Sequence, residues 1–558
     1  MKPVRIIAVL AWAATSVPAQ PVIQAGSVTN AASYIPDGLP SSGVAQGSIF
    51  ILKGRNLGAC GVTQSGLPRP TSLGGTSIRV AVGGQTRNAL MVYVVACQEG
   101  GRPDQLAAIL PSDTPAGTGT VSVTYNGQTV TAPIRVVRNA LGLFTVNQAG
   151  SGPAVVTDAS ENWPILATSS AQPGQLVTFW GTGLSAVSFA DDQGAPFQDL
   201  TSVNLQLFIG GKPATVLFRG RSPGSTGLDQ INAEIPAGVE GCFVPVVAVV
   251  NGVASNFTTI AVSASGGECS DALGYTAADL ATAQSAGGLR VGSIVLARTK
   301  LKFAFPGTGS IDSTTDIGSA SFEKFSLTQI YGSQGFGFVS EGACTVGYTS
   351  GDDTTPDDPV KGEGLDAGAS ITVRGPAGEK QMNRMAVKGV YSGQLGGGTP
   401  NPFGGGAAAP AFLEPGAYTV SGAGGADVGA FSANFRLPSP LTWANQASIT
   451  TVNRSQGVNV TWTGGDPAGF TFIFGYSGVG SGQNPVSAVF SCIVKTSLGN
   501  FTVPSSVLLA LPATPAGEQS FGVLGVGSSS QPVRFTAPGL DLGFLAGTSL
   551  NGSTVTYQ

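Results

Sequence analysis

The sequence predicts an all-β chain: two tandem β-sandwiches followed by a β-rich C-terminal half of one or two domains. Three observations predict it. Gly (82) and Pro (36) are abundant, apolar residues make up 42% of the 558 positions and charged residues only 10%. That balance suits many short strands joined by tight turns, not a charged disordered chain. Apolar and polar residues alternate in short runs that stop at Gly-Gly or Asn-Gly, the pairs that hairpin turns favour. One pattern of punctuation also occurs twice. Gln46–Leu57 (QGSIFILKGRNL) and Pro173–Leu184 (PGQLVTFWGTGL) each carry Gly, a short apolar strand, a second Gly and then Leu, with Gly47/Gly174, Gly54/Gly181 and Leu57/Leu184 at one constant offset.

The chain opens with Lys2 and Arg5 ahead of an apolar run, Ile6 to Val17, and small residues at Val17-Pro18-Ala19. This is the pattern of a secretory leader, too short to span a bilayer comfortably, with cleavage after Ala19 leaving Gln20 first. No later stretch is long and apolar enough to span. Residues 1–19 are therefore read as a signal peptide, and the mature chain as exported: secreted, or held at the cell surface without a transmembrane segment.

Residues 20–140 form the first repeat. Val28 to Ser33 opens it as an edge segment, and Ser48 to Lys53 is the strand between the two glycines. Ser77 to Val82 ends at Gly83-Gly84, and Leu90 to Ala96 continues as a buried strand. Asp104 to Pro111 and Thr120 to Tyr125 follow, and Asn126-Gly127 turns the chain into Thr129 to Val137. Residues 141–265 repeat the series, with Asn204 to Ile209 before Gly210-Gly211, Asp229 to Pro236, and Asn251-Gly252. Each unit has the size and strand rhythm of an Ig-like sandwich, because residues at alternate positions must face a second sheet. Asp104 and Asp229 recur at one structural landmark, which points to a turn or cap role.

Residues 266–289 read as a linker in which Tyr275 to Ala286, rich in Ala, forms one short helix. The remainder divides into 290–440 and 441–558. The first has strands at Ser293–Ala297, Phe322–Ile330, Gly368–Val373 and Gly416–Ser421, and a low-complexity loop at Ser392–Pro410. The second has strands at Ser448–Asn453, Val458–Thr463, Thr471–Tyr476, Val486–Val494 and Asn500–Val503.

Residues 28 to about 265 resemble the IPT/TIG type of Ig-like domain, and more closely a repeat in exported proteins of Solibacter and other Acidobacteria. The resemblance rests on the Gly–strand–Gly-x-x-Leu stretch, the Gly-Gly hairpin, Asp229-Gln230-Ile231-Asn232-Ala233-Glu234-Ile235-Pro236 and the closing Asn-Gly hairpin. The first copy departs from it, with Asp104-Gln105-Leu106-Ala107. The resemblance implies an extracellular sandwich and supplies no catalytic residues.

Six cysteines suit an oxidising compartment. Many connectivities are open to them. The order favours Cys60–Cys97 and Cys242–Cys269, each inside one repeat, leaving Cys344 and Cys492 as a long-range pair that would join the last two regions. The absence of His from the sequence removes Ser-His-Asp and Cys-His catalysis and His-ligated zinc together. No P-loop occurs, and Gly404-Gly405-Gly406 lacks the strand–loop–helix setting that phosphate binding needs. A net charge of −4 without a basic block offers nucleic acid no footprint.

The densest polar cluster is SGDDTTPDDPVKGEGLD. Asp352, Asp353, Asp357 and Asp358 are hard oxygen ligands of the kind Ca²⁺ takes, but their spacing is not that of an EF-hand, and a solvated loop is the competing reading. No other cofactor is expected. Trp180 and Trp462 fall inside strand patterns and read as core; Trp163, before Pro164, and Trp443, between two regions, read as exposed and able to stack on sugars. The expectation is a non-enzymatic extracellular protein acting in adhesion, surface or matrix interaction. Its partners would be polysaccharide or cell-surface protein, not nucleic acid. A carbohydrate-binding protein is the first alternative, and a carbohydrate-active enzyme using carboxylates in 290–558 the second.

Overall fold

The computed structural model describes residues 20–271, 274–305, 309–332, 340–350, 362–398, 409–480, 485–515 and 520–558. Residues 1–19, expected to be a leader, lie outside them. Two sheets face each other in the first repeat. One runs in the order Val22–Ile23, Ile49–Arg55, Asp104–Ile109, Leu90–Ala96, Gly61–Gln64; the other runs Val44–Ala45, Gln128–Val137, Gly117–Tyr125, Thr76–Val82, Ser72–Leu73. Alternation sets the core: Ile78, Val80 and Val82 point inward to meet Phe50 and Leu52 of the opposite sheet. Asn126-Gly127 and Gly83-Gly84 turn with φ of 49° and 76°, and 59° and 75°, the left-handed pair that a two-residue hairpin requires.

The second repeat is built alike. Gly142–Leu143, Leu176–Thr182, Asp229–Glu234 and Val216–Arg221 form one sheet. Gly152–Pro153, Thr258–Val262, Gly241–Val250, Leu205–Ile209 and Lys212–Ala214 form the other. Gly241–Val250 is buried at every position. Its inward residues Val244, Val246, Ala248 and Val250 fill the sandwich, while Val247 joins the core of the C-terminal half and Phe243 packs near the helix. An unbroken apolar run is what a strand covered on both faces needs.

The repeated motif has a physical cause. Gly54 and Gly181 lie where a neighbouring strand passes: an added Cβ would stand 2.0 Å from the Val22 carbonyl oxygen or 2.5 Å from that of Gly142. Leu57 and Leu184 are then fully buried. Their amides donate to the buried carboxylates of Asp104 (2.9 Å) and Asp229 (2.8 Å). The recurrent aspartates therefore pin the loop after the glycine strand in both copies.

The short helix spans Ala277–Ala286, with Thr276 and Asp279 forming a reciprocal cap and Gly287 ending it in the left-handed region. Beyond it, one sheet of 14 strands runs from Ala343–Ser350 through Val486–Lys495, Phe470–Val479, Ser520–Ser529 and Leu542–Thr554. It continues through Gly288–Phe305, Gly309–Ser326, Val390–Gly398, Gly378–Arg384, Ser370–Gly375 and Gly416–Gly422 to Phe431–Leu437. Strands from either side of the expected 440/441 boundary interleave in it. Leu542–Thr554 pairs in parallel with Gly288–Phe305, Val291 opposite Leu542 through to Lys302 opposite Ser553. Each end curls over its own core. One gathers Phe322, Tyr391, Tyr418 and Phe431; the other gathers Trp443, Trp462, Phe490 and Tyr557, together with Ile35 and Leu39 of the first repeat and Phe257 of the second.

Two local expectations change. The strand expected over Phe322–Ile330 stops at Ser326, and Leu327–Gly332 is helical. The loop expected over Ser392–Pro410 begins as strand, because Val390–Gly398 completes the ladder of Gly309–Ser326; residues 399–408 lie outside the described set.

Candidate functional site

All three disulfides expected from the cysteine order are present: Cys60–Cys97, Cys242–Cys269 and Cys344–Cys492. Cys344 and Cys492 are directly opposed on adjacent strands, so the third bridge staples one edge of the large sheet. Asp352, Asp353, Asp357 and Asp358 lie outside the described residues. Among the described residues no group of three or more His, Cys, Asp or Glu could hold a metal ion. Asp366, the last residue of that run, pairs with Arg384 at 3.2 Å, and nearby Asp427 pairs with Lys388 at 2.8 Å.

Trp443 is not exposed. It stands opposite Trp462 in a strand pair, and both are buried, at 4% and 3% exposure; the segment between the two expected regions is itself a core strand. Trp163 is half-buried against the second sandwich's core. Trp180 departs the other way. In Leu176–Thr182 the core residues are Val177 and Phe179, and alternation turns Trp180 to the outer face, where it is half-buried between the buried Thr178 and Thr182.

Buried polar groups concentrate where the two sandwiches meet. Thr182 Oγ1 accepts the Ile49 amide (2.8 Å) and donates to the Gly227 carbonyl (2.6 Å). Asn30 Nδ2 donates to the carbonyls of Ala140 and Thr182. Ser112 donates its amide (2.7 Å) and hydroxyl (2.8 Å) to Asp191. Arg221 and Asp229, both almost wholly buried, pair at 2.6 Å, and Arg221 also donates to the Ser185 carbonyl. Burial pushes the carboxyls of Asp191 and Asp229 upward, against the pull of these donors. These groups bond to one another across and beside the junction, and so hold the sandwiches together.

A second network sits in the large sheet. Arg298 forks onto Asp316 (2.8 and 2.9 Å) and reaches Glu414 (3.0 Å), while Asp316 also accepts the amides of Phe412 and Leu413. Burial opposes the charge on Asp316, but the Arg298 fork and the two amides outweigh it and hold its carboxyl below the usual range. It fastens the segment before Gly416–Gly422 to the sheet.

The outer face of the second sandwich is the surface whose side chains are arranged without being consumed. Trp180 lies opposite Gln230, and Thr178 opposite Asn232. Trp180 Nε1 donates to Thr157 Oγ1 at 3.2 Å, Thr178 Oγ1 donates to Asn232 Oδ1 at 3.1 Å, and Gln230 Nε2 donates to the same oxygen at 3.0 Å. On the next strand, Phe218 lies opposite Asn232 and Gly220 opposite Gln230. Phe197, 78% exposed, stacks on Phe218 with ring centroids 5.1 Å apart and leaves Phe218 itself only 5% exposed, and the Gln198 backbone passes over Gly220. Two aromatic groups thus flank a pair of oriented amides. The sequence signal was available: period-two alternation through LVTFWGT and DQINAE marks Trp180, Gln230 and Asn232 as outward.

No family model matches the chain. No curated protein matches it either. Solved structures similar to parts of it include SGBP-B of a Bacteroides ovatus mixed-linkage glucan utilization locus, in complex with a mixed-linkage heptasaccharide, at 15% identity over 39% of this chain, with a TM-score of 0.18. This chain spans 43% of that protein's length. SGBP-B from a Bacteroides uniformis complex xyloglucan utilization locus matches at 11% identity over 67% of this chain and 85% of that one, TM-score 0.15. A tandem of titin Ig domains matches at 10% identity over 44% and 96%, TM-score 0.12.

Proposed function

We propose that the chain is a non-catalytic extracellular binding protein, working in surface or matrix attachment, whose two Ig-like sandwiches and C-terminal sheet act as one body. The observation that carries this reading is the use made of its buried polar groups: Arg221–Asp229, Ser112–Asp191 and Arg298–Asp316 fasten segments and modules to each other. Carboxylate catalysis of glycoside cleavage needs one carboxyl kept protonated beside a second across a cleft. Asp316, Asp366, Asp427 and Asp541 are held ionised by their partners, and among the described residues the carboxyls raised by burial, Asp191 and Asp229, are already bonded inside a junction. The leader-like start and the three disulfides support an exported location. The test is retention of the purified chain on insoluble polysaccharides and cell-wall fractions, with soluble sugar assayed in the same tubes. Retention without release is the expected result; sugar release would replace this reading with a carbohydrate-active enzyme.

A further inference from the structure

We infer that the outer face of the second sandwich, bounded by Trp180 and by the Phe218–Phe197 stack, is a binding site for an extended, neutral, β-linked polysaccharide. The inference rests on the binding-protein reading above and adds a place and a ligand class to it. A pyranose ring offers one flat C–H face and a rim of hydroxyls. It is recognised by an aromatic ring beneath and by groups able both to donate and to accept at its edge.

Both requirements meet here. Thr157 fixes the Trp180 indole, and Thr178 and Gln230 fix the Asn232 amide. Asn232 Nδ2 and Gln230 Oε1 carry no hydrogen bond to another described residue, so one donor and one acceptor are set between the aromatic groups. Trp180 and Phe218 stand on strands separated by one other, strands about 9.6 Å apart at the usual spacing; Phe218 is buried, so Phe197 above it is the ring that bounds the face on that side. Charge argues for a neutral occupant. No ionisable side chain stands between the aromatic groups; Glu234 lies at the end of its strand, and Arg219 pairs with Asp199 on the flank at 3.7 Å. Continuity argues the same way for position. Thr182, two residues from Trp180 on the same face, is covered by Ile49 of the first repeat, so the face starts at the junction and runs outward from it.

The experiment uses the full disulfide-bonded chain and four probes: a soluble mixed-linkage β-glucan, a soluble β-mannan, an α-glucan and an acidic polyuronate. Binding is followed by quenching of tryptophan fluorescence and by retardation in polysaccharide gels. The expected result is binding to at least one neutral β-linked polymer and not to the polyuronate. Affinity should fall about tenfold or more for Trp180→Ala, the loss typical of truncating a central aromatic anchor, and by a smaller factor for Phe197→Ala and Asn232→Ala. Phe197 is exposed, so its truncation keeps the test valid if Trp180→Ala fails to fold. If the wild type binds a β-linked polymer and Phe197→Ala and Asn232→Ala bind it equally well, this site is overturned while the binding-protein reading stands. Failure to bind any neutral β-linked polymer, with retention on protein-containing wall fractions, overturns the ligand class alone. Preference for the polyuronate overturns the charge argument and the site with it.

Discussion

Replacing Asp229 by Ala should unfold the second sandwich far more readily than the matching change at Asp104. The two aspartates occupy the same place and do the same work for the amides of Leu184 and Leu57, but only Asp229 also neutralises a buried guanidinium, that of Arg221. Removing it leaves that charge with the Ser185 carbonyl and the more distant charge of Asp191, at a cost of about 3–5 kcal/mol for a buried ion that loses its direct partner. The orphaned Leu184 amide adds about 1–3 kcal/mol. Both losses are relieved by one movement of the same loop, so they overlap, and about 4 kcal/mol is the net expectation. At a urea slope of about 1–3 kcal/mol per molar, the midpoint should fall by roughly 1.3–4 M. Asp104→Ala strands the amides of Leu57 and Cys97 but no charge, and should cost about 2 kcal/mol. In a urea titration Trp163 and Trp180 report the second sandwich and Trp443 and Trp462 the C-terminal half; the first sandwich holds no tryptophan, so Asp104→Ala is followed by circular dichroism. Asp229→Leu combined with Arg221→Met should recover part of the loss, because an apolar pair replaces a stranded ion. The reasoning is refuted if Asp229→Ala lies within about 1 kcal/mol of the wild type or if Asp104→Ala costs as much.

Three further outcomes follow from the packing. Ser at both Cys344 and Cys492 opens a cross-link 148 residues apart in sequence, which on loop-closure entropy costs about 5 kcal/mol; the melting transition of the C-terminal half should drop while that of the first sandwich stays in place. Gly227→Val should loosen the junction between the repeats, since φ is +68° and an added Cβ would stand 2.7 Å from Ile49; protease cleavage between residues 137 and 142 should quicken. Asp316 is held below the usual carboxylate range, so its contribution to stability is complete above about pH 3.9 and is lost as pH falls through its lowered folded value. Asp316→Asn should therefore be less stable at neutral pH and show a flatter acid limb than the wild type in urea midpoints measured against pH.

The sandwiches were legible because their signals are local. Gly-Gly and Asn-Gly name two-residue turns, and alternation names the inward face. The Gly54 and Gly181 positions recur because a backbone oxygen leaves no room for a side chain there. The C-terminal half was not legible to the same degree. Its central contact, the parallel ladder between Gly288–Phe305 and Leu542–Thr554, joins strands about 250 residues apart, and no turn announces such a partner. Trp443 was hidden too: it stands opposite Trp462 and belongs to a core that also gathers residues of the first and second repeats. Trp180 was misplaced for a different reason. A tryptophan in a strand suggests core, but its position one residue after Phe179, which faces the core of the sandwich, assigns it to the opposite face. The junction groups were visible only as isolated polar residues, since Ser112 and Asp191 meet across two modules.

The central claim, that this chain binds a neutral polymer without cleaving it, is tested most directly by incubating the full disulfide-bonded protein with a soluble neutral β-glucan for a day. Complex formation is measured at the start and at low and high salt, and new reducing ends are assayed throughout. The account predicts saturable binding that high salt leaves unchanged, since no counter-ions are released by a neutral ligand, with no growth of reducing ends above the protein-free control. Reducing ends that rise in proportion to time and protein, or binding that salt abolishes, would contradict it.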